Sequence, residues 1–145
     1  MAMDLPQPGE VIRYSYLWYD EFRRGLEEGR KDRPCAVILA LARDDGETQV
    51  VVLPITHSPP SDPRHAVEIP AATKQRLGLD DLASFIVLTE ANRFFWPGPD
   101  LRPFDTQAGS RVVYGLLPRK LFLEVQDRFV QLAQAGKADF VPRSE

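Results

Sequence analysis

The sequence predicts a mainly β fold, a small β-barrel with one α-helix at its C-terminal end. Short apolar runs recur along the chain between prolines and glycines, and 13 of the 145 residues are proline, against an average usage of about 5%. Only one stretch, near the C terminus, has the apolar spacing of a helix of several turns. No helix of crossover length separates the early strands, which favours a small barrel over a parallel sheet.

The first third of the chain predicts a strand, a charged loop and a hairpin. The stretch EVIRYSY alternates weakly and indicates a first strand. Residues 17–32 are rich in charge, which indicates a long surface loop or a short helix. Residues 35–42 form an apolar run that predicts a strand buried on both faces. The DDG sequence that follows predicts a tight turn, because glycine accepts a positive φ, and 49–55 is the returning strand, stopped at its proline.

The remainder predicts short strands and the terminal helix. Four segments have the apolar character of strands: 66–69, 84–89, 93–96 and 111–114. Pro70 opens one or two helical turns that Gly78 closes. Residues 97–106 contain too many prolines and glycines for regular structure. The segment 118–135 has apolar residues at spacings of three and four and is followed by Gly136, which predicts a helix and its end.

Length and composition indicate one domain over residues 1–145, with 1–8 and 137–145 as loose tails. The N-terminal residues are acidic and contain proline, unlike a secretory signal, and the longest apolar run is far below the roughly 20 residues that span a bilayer. A lone Cys35 fits a reducing cytoplasm. The net charge of −3 gives no overall attraction for nucleic acid, so an RNA site would have to be a local basic cluster.

Two polar motifs flank the predicted hairpin. Arg33-Pro34 precedes its first strand, and Thr56 follows its second strand two residues after Pro54. Because one turn joins the two strands, the start of the first and the end of the second lie at the same end of the sheet. The sequence therefore predicts that Arg33 and Thr56 flank one mouth.

These motifs resemble those of the PemK/MazF family of toxin ribonucleases, over the whole chain. The matching stretches are Pro8-Gly9-Glu10-Val11, Arg33-Pro34 with the following 36–39, 52–56, and Leu88-Thr89-Glu90. The resemblance implies an SH3-like, partly open barrel of the PemK/MazF/CcdB type with a C-terminal helix, and a cytoplasmic homodimer. It also implies the toxin of a type II toxin–antitoxin pair, an endoribonuclease that cleaves single-stranded RNA (mRNA) without metal or cofactor, and a cognate antitoxin that wraps the toxin with a disordered segment.

The chemistry of such a reaction agrees with these residues. Attack of a 2′-hydroxyl on its own phosphate needs a base, a cation for the phosphorane charge and an acid for the leaving 5′-oxygen. In the family the arginine of the Arg-Pro pair is catalytic, and Arg33 suits the cation role, since its planar fork donates two hydrogen bonds and keeps its proton. Thr56 matches the family's threonine, whose hydroxyl can donate to the phosphate.

Two residues are candidates for moving the proton. His57 follows Thr56, and imidazole is a natural acid or base near neutral pH; the alternative is an exposed loop histidine without a role. Glu90 matches an acidic position that assists catalysis in some family members, although Leu88 stands where those members carry an arginine. The alternative for Glu90 is a carboxylate at the end of a strand.

Basic and aromatic side chains of the first loop suit RNA binding, through phosphate attraction and stacking on unpaired bases. The substrate-binding candidates are Trp18, Arg23, Arg24, Glu28, Arg30, Lys31 and, from the second hairpin strand, Pro54. Glu28 can also orient the Arg33 guanidinium. The alternative is an ordinary solvated loop, in which acidic neighbours cancel the basic charge.

No metal site is expected, because two histidines and one cysteine are too scattered for zinc-ligand spacing. A second function from another class also fits the pattern. It is a catalytically silent barrel of the same fold that binds a protein or a nucleic acid. The acidic net charge and Leu88 favour this alternative, whereas the combination of Arg33 with Thr56 favours the ribonuclease.

Overall fold

The computed structural model describes residues 5–29 and 31–143. Within these ranges the chain is mainly β, as predicted. The strands are β1 (Glu10–Tyr14), β2 (Arg33–Ala42), β3 (Thr48–Thr56), β4 (Ala66–Glu68), β5 (Phe85–Val87), β6 (Glu90–Phe95), β7 (Phe104–Thr106), β8 (Gly109–Arg111), β9 (Val113–Leu116) and β10 (Asp139–Pro142). The α-helices are α1 (Tyr19–Arg23), α2 (Ala71–Leu77) and α3 (Arg119–Gln134).

Eight of these strands form one sheet, in the order β10-β6-β3-β2-β1-β9, and the β4–β5 pair joins it through β3. Neighbouring strands are antiparallel, except that β10 runs parallel to β6. The two end strands, β9 and β10, do not pair with each other in the described ranges, so the sheet does not close into a full barrel.

The central hairpin of β2 and β3 forms as the DDG sequence predicts. Cys35 pairs with Pro54 near one end and Ala42 with Thr48 at the turn, where Gly46 has a φ of 85°. Two expectations are wrong in detail. β3 is not stopped at Pro54 but continues to Thr56. β2 is buried only in its first half, because β1 pairs only with residues 33–36 of it, and Leu41 near the turn is 52% exposed.

Buried apolar side chains lie in two clusters. One cluster joins β3 and β5 to α3, which contributes Val125 and Phe129. The other cluster is rich in aromatic side chains and includes Tyr14, Tyr16 and Phe94. The predicted helix at 118–135 is confirmed, with Pro118 at its N-cap and Gly136 just beyond its end. No helix in the described ranges has the length and apolarity needed to cross a membrane.

The largest departures from the sequence prediction lie near the C terminus. Residues 97–106 are not wholly irregular, since β7 and β8 form a small hairpin, and the strand predicted at 111–114 is divided between β8 and β9. The predicted loose tail at 137–145 is wrong for its described part, because β10 pairs with β6 and Val141 is fully buried. Of the predicted tail at 1–8, residues 1–4 lie outside the described ranges, and Pro6 is buried.

Candidate active site

A cleft of about 570 Å³ opens at the end of the central hairpin that lies opposite its turn. Arg33 at the start of β2, Thr56 at the end of β3 and the following His57 all line it. The register explains why: Cys35 pairs with Pro54, and continuing two residues along each strand sets Arg33 across from Thr56. The prediction that these two residues flank one mouth is confirmed.

Arg33 is held by its neighbours without a neutralising carboxylate. Its Nη1 donates to the carbonyl oxygen of Ile55 at 3.3 Å, and its guanidinium lies over the Trp18 ring, 4.9 Å from the centroid. Its Nε is buried and has no hydrogen-bond partner in the described part of the chain. No described acidic side chain forms an ion pair with Arg33. The cleft therefore contains a fixed positive charge that is available to an anion.

The segment that carries Trp18 is fixed by Asn92 of β6, which the sequence did not single out. The Asn92 amide accepts from the Leu17 N–H at 2.9 Å and donates to the Leu17 carbonyl oxygen at 2.7 Å. Asn92 is fully buried, so these two bonds are shielded from water. They place the indole of Trp18 beneath the Arg33 guanidinium.

The Thr56 hydroxyl can donate a hydrogen bond to a ligand in the cleft. Its Oγ1 accepts a hydrogen bond from the Ser58 N–H at 3.2 Å, which uses a lone pair and leaves the hydroxyl proton free to donate. The backbone of Thr56 pairs with Phe85 of β5. This pairing fixes the residue on its second side, so the hydroxyl projects from an ordered strand end.

His57 forms part of a polar chain that the sequence analysis missed. Its Nε2 lies 2.7 Å from Oδ2 of Asp80, and Oδ1 of Asp80 accepts from Lys74 Nζ and from the Leu82 N–H, each at 3.1 Å. Lys74 lies on α2 with a side chain only 5% exposed. Partial desolvation would raise the pKa of Asp80, but the hydrogen bonds from Lys74, Leu82 and His57 outweigh it and hold that pKa below its usual value.

No pattern in the sequence predicts the contacts among His57, Asp80 and Lys74. Asp80 is 23 residues from His57 and six from Lys74, a separation that matches no helical neighbour relation. The turn of the chain at Gly78, which caps α2 with a φ of 76°, brings the carboxylate back toward its helix. The one related prediction from the sequence is that Gly78 ends the helix, which indicates a turn of the backbone just before Asp80.

Glu90 does not line the cleft. Its Oε1 accepts from the Tyr16 hydroxyl at 3.0 Å and from the Tyr19 N–H at 2.8 Å, so the carboxylate holds the first turn of α1. Burial raises the pKa of Glu90, although these two hydrogen bonds act in the opposite direction. The geometry matches the alternative of a strand-end carboxylate with a structural contact.

The predicted RNA contacts separate into two groups. Trp18 and Lys31 line the cleft. Four other candidates do not line it: Arg23 stacks on Tyr19, Arg24 pairs with Asp20 at 3.0 Å, Glu28 is exposed with no described contact to Arg33, and Pro54 is buried within β3. Arg30 lies outside the described residues.

The lining of the cleft also includes residues that the sequence did not identify. Tyr114 of β9 stacks on Phe104, with ring centroids 4.4 Å apart, and burial raises the pKa of its hydroxyl. Asp32 is engaged elsewhere, in ion pairs with Arg13 and Arg102. The cleft is thus lined by two aromatic side chains, Trp18 and Tyr114, and the Arg33 guanidinium lies over the first of them.

In the described ranges, no group of three or more histidine, cysteine, aspartate or glutamate side chains is arranged to hold a metal ion. No protein-family model matches the chain, and no curated protein matches it.

Proposed function

We propose that this chain is an endoribonuclease that cleaves single-stranded RNA by 2′-hydroxyl attack without a metal ion, and that it acts as the toxin of a type II toxin–antitoxin pair. One observation carries the proposal. The Arg33 guanidinium lies in a cleft beside Thr56 and His57, and no described carboxylate neutralises it.

Arg33 has the surroundings expected of a phosphate ligand. The Ile55 carbonyl and the Trp18 ring fix one edge and one face of the guanidinium, so little side-chain freedom remains to be lost when an anion binds. A phosphate in the cleft would be a charged acceptor for the donors that Ile55 does not use. As the attack proceeds, the negative charge on the phosphorane oxygens grows, and a preorganised cation stabilises it more than it stabilises the substrate.

Thr56 supplies a second, neutral donor in the same cleft. Its free hydroxyl proton can donate to the other non-bridging oxygen of the phosphate, opposite the guanidinium. Two donors on neighbouring strands would hold the phosphate in one orientation, and orientation is a large part of the advantage of an intramolecular attack. His57 then provides the one imidazole that the cleft contains in the described residues.

The aromatic walls favour an unpaired strand over a duplex. Trp18 and Tyr114 both line the cleft, and unstacked bases gain stability by stacking on such rings. Lys31, exposed at the cleft, adds a cation for the backbone. An RNA whose bases are paired would not expose these surfaces.

The test is to incubate the purified protein with a long single-stranded RNA in EDTA and to map the ends of the products. We expect cleavage to continue in EDTA and to leave a cyclic phosphate and a free 5′-hydroxyl. RNA with a 2′-O-methyl group at the cut nucleotide, and DNA of the same sequence, should resist. A strict requirement for magnesium would contradict the mechanism, and RNA binding without cleavage would support a silent binding module instead.

The remaining parts of the proposal rest on the resemblance of the motifs. They are the SH3-like type of barrel, the cytoplasmic location, the homodimer and the cognate antitoxin. A reading frame for a small acidic or DNA-binding protein immediately upstream would support the antitoxin, and its co-purification with this chain would test the pair directly.

A further inference from the structure

We propose that His57 is the base that accepts the 2′-hydroxyl proton, and that Asp80, held in place by Lys74, is the positioning residue that presents Nδ1 of His57 to the cleft. This inference rests on the proposed ribonuclease function and assigns its proton acceptor. The observation behind it is the chain of contacts from His57 through Asp80 to the buried Lys74.

The contacts hold Asp80 in one orientation. Its Oδ1 accepts from the Lys74 ammonium and from the Leu82 N–H, so both donors act on the same oxygen. The other oxygen, Oδ2, is left for His57 at 2.7 Å. Lys74 has no freedom to move away, because its side chain is almost fully buried on α2. The carboxylate is therefore a fixed acceptor rather than a flexible surface group.

This arrangement determines the tautomer of His57. An ionised carboxylate can only accept hydrogen bonds, so the short contact requires a proton on Nε2. In the neutral ring the other nitrogen, Nδ1, then carries the lone pair. Nδ1 has no hydrogen-bond partner among the described residues, and the His57 side chain is 52% exposed on a wall of the cleft. The ring thus keeps its basic nitrogen available to a substrate.

The reaction balances with these groups. The 2′-oxygen of the RNA bonds to phosphorus while its proton passes to Nδ1 of His57, and the bond from phosphorus to the 5′-oxygen breaks. The leaving 5′-oxygen takes a proton from solvent water, which reaches the open cleft, and imidazolium later returns its proton to solvent. Asp80 stabilises the imidazolium by its negative charge, while Arg33 and Thr56 hold the phosphorane oxygens.

Other ionisable groups face the same space and have to be separated from His57 in a pH profile. The cleft is also lined by Lys31, Asp32, Arg33, Asp80 and Tyr114. Of these, Asp80 alone lies within hydrogen-bonding distance of His57 in the described ranges. Asp32 is occupied by two arginines. Tyr114 keeps its proton, since burial raises its pKa.

The first experiment measures single-turnover cleavage of RNA against pH for the wild type, His57→Ala and Asp80→Asn. His57→Ala should lose about 100-fold or more in rate together with the rise of rate with pH, and added imidazole should restore part of the rate. Asp80→Asn should lose at least about tenfold, because the neutral amide no longer dictates the tautomer.

A matched control is available outside the cleft. His65 ends a short 3₁₀ helix and lies 3.6 Å from Asp62, so it is also a partly exposed histidine beside an aspartate, and His65→Ala should leave the rate and the pH profile unchanged. Thermal unfolding of every variant separates loss of fold from loss of function. A wild type that cleaves RNA and a folded His57→Ala variant with the same rate and pH profile would overturn the inference while the ribonuclease stands.

The second experiment does not depend on activity. The ¹⁵N chemical shifts of the His57 ring in the wild-type protein, recorded on the neutral form of the ring, should report a proton on Nε2 and a bare Nδ1. Asp80→Asn should remove the strong preference for this tautomer. A wild-type ring that carries its proton on Nδ1 would contradict the role of Asp80, whether or not the protein cleaves RNA. A wild type that does not cleave RNA would contradict the proposed function itself.

Discussion

Two arginines lie at opposite ends of β2, and of the two only Arg33 lines the cleft that contains Thr56 and His57. Arg33 at the start lies over the Trp18 ring at 4.9 Å, and Arg43 just past the end lies over the Phe95 ring at 5.5 Å. Both contacts are of the same kind and carry about 0.5–1 kcal/mol at such sites. The difference between them is position: Arg33 shares its cleft with Thr56, whereas Arg43 belongs to the exposed turn.

This pair provides a test of the arginine at the residue scale. Arg33→Ala should lower the cleavage rate by about 10²–10³-fold, because the cation that stabilises the phosphorane is removed. Arg33→Lys should recover only part of this loss, since an ammonium cannot reproduce the planar fork. Arg43→Ala should leave cleavage unchanged. The measurement is single-turnover cleavage, with thermal unfolding to show that each variant folds, and equal losses in both alanine variants would contradict a special role for Arg33.

Which site residues could be predicted depended on how far their partners lie along the chain. Arg33 and Thr56 were predictable as neighbours, since a single hairpin turn fixes their relation. Asp80 and Lys74 were not, because their contact depends on the path of the chain around Gly78 and on the packing of α2. Pro54 was misjudged for a different reason. It belongs to the motif, but it lies opposite Cys35 within the hairpin and is buried there, two residues before the mouth.

At the scale of elements, strands with an apolar run or a recognisable turn were predictable, and β10 was not. β2 and β3 are joined by a recognisable turn, and α3 has a clear apolar face. β10 contributes a single fully buried apolar residue, Val141, which leaves no visible alternation. What fixes its end is Arg143, whose guanidinium donates to the Ser15 carbonyl and pairs with Asp100 at 3.1 Å. Contacts over such a separation are not encoded in any local pattern.

The attachment of α1 gives a prediction at this scale. Burial raises the pKa of Glu90, so this carboxyl favours folding while it is protonated and loses that contribution as the pH rises through its raised pKa. Glu90→Gln removes the ionisation but keeps an oxygen for the Tyr16 hydroxyl and the Tyr19 N–H. The free energy of unfolding of the variant, relative to the wild type, should therefore increase from about pH 4 to about pH 7 in urea denaturation.

The same variant tests whether Glu90 takes part in the reaction. Because Glu90 does not line the cleft, Glu90→Gln should cleave RNA at the wild-type rate. Glu90→Ala is the companion variant, since it leaves the Tyr16 hydroxyl and the Tyr19 N–H without this acceptor and should destabilise the attachment of α1. A folded Glu90→Gln protein with strongly reduced cleavage would support a role for the Glu90 carboxylate in proton transfer.

At the scale of the whole molecule, the positive charge of the cleft and the exposed apolar surface along α3 lie in different places. The net charge is −3, yet Lys31 and Arg33 put positive charge at the cleft. Attraction of RNA would therefore be local and short in range, since charges separated by more than about 10 Å are screened at ordinary ionic strength. The apolar surface lies along α3, where a groove of about 630 Å³ runs between the helix and the outer parts of β2 and β10.

This groove leads to a prediction about the proposed homodimer. Its exposed apolar side chains are Leu39, Leu123, Val130 and Phe140, with exposed fractions between 39% and 44%. A cluster of this kind is typical of an association surface, and a second copy of the chain would bury it.

We expect the wild type to be a dimer by size-exclusion chromatography with light scattering. Leu123→Glu should dissociate it, because a buried unpaired carboxylate is costly. Leu5→Glu, at a leucine that is 64% exposed outside the groove, should remain dimeric. A monomeric wild type at micromolar concentration would contradict the homodimer, and dissociation by both variants would place the interface elsewhere.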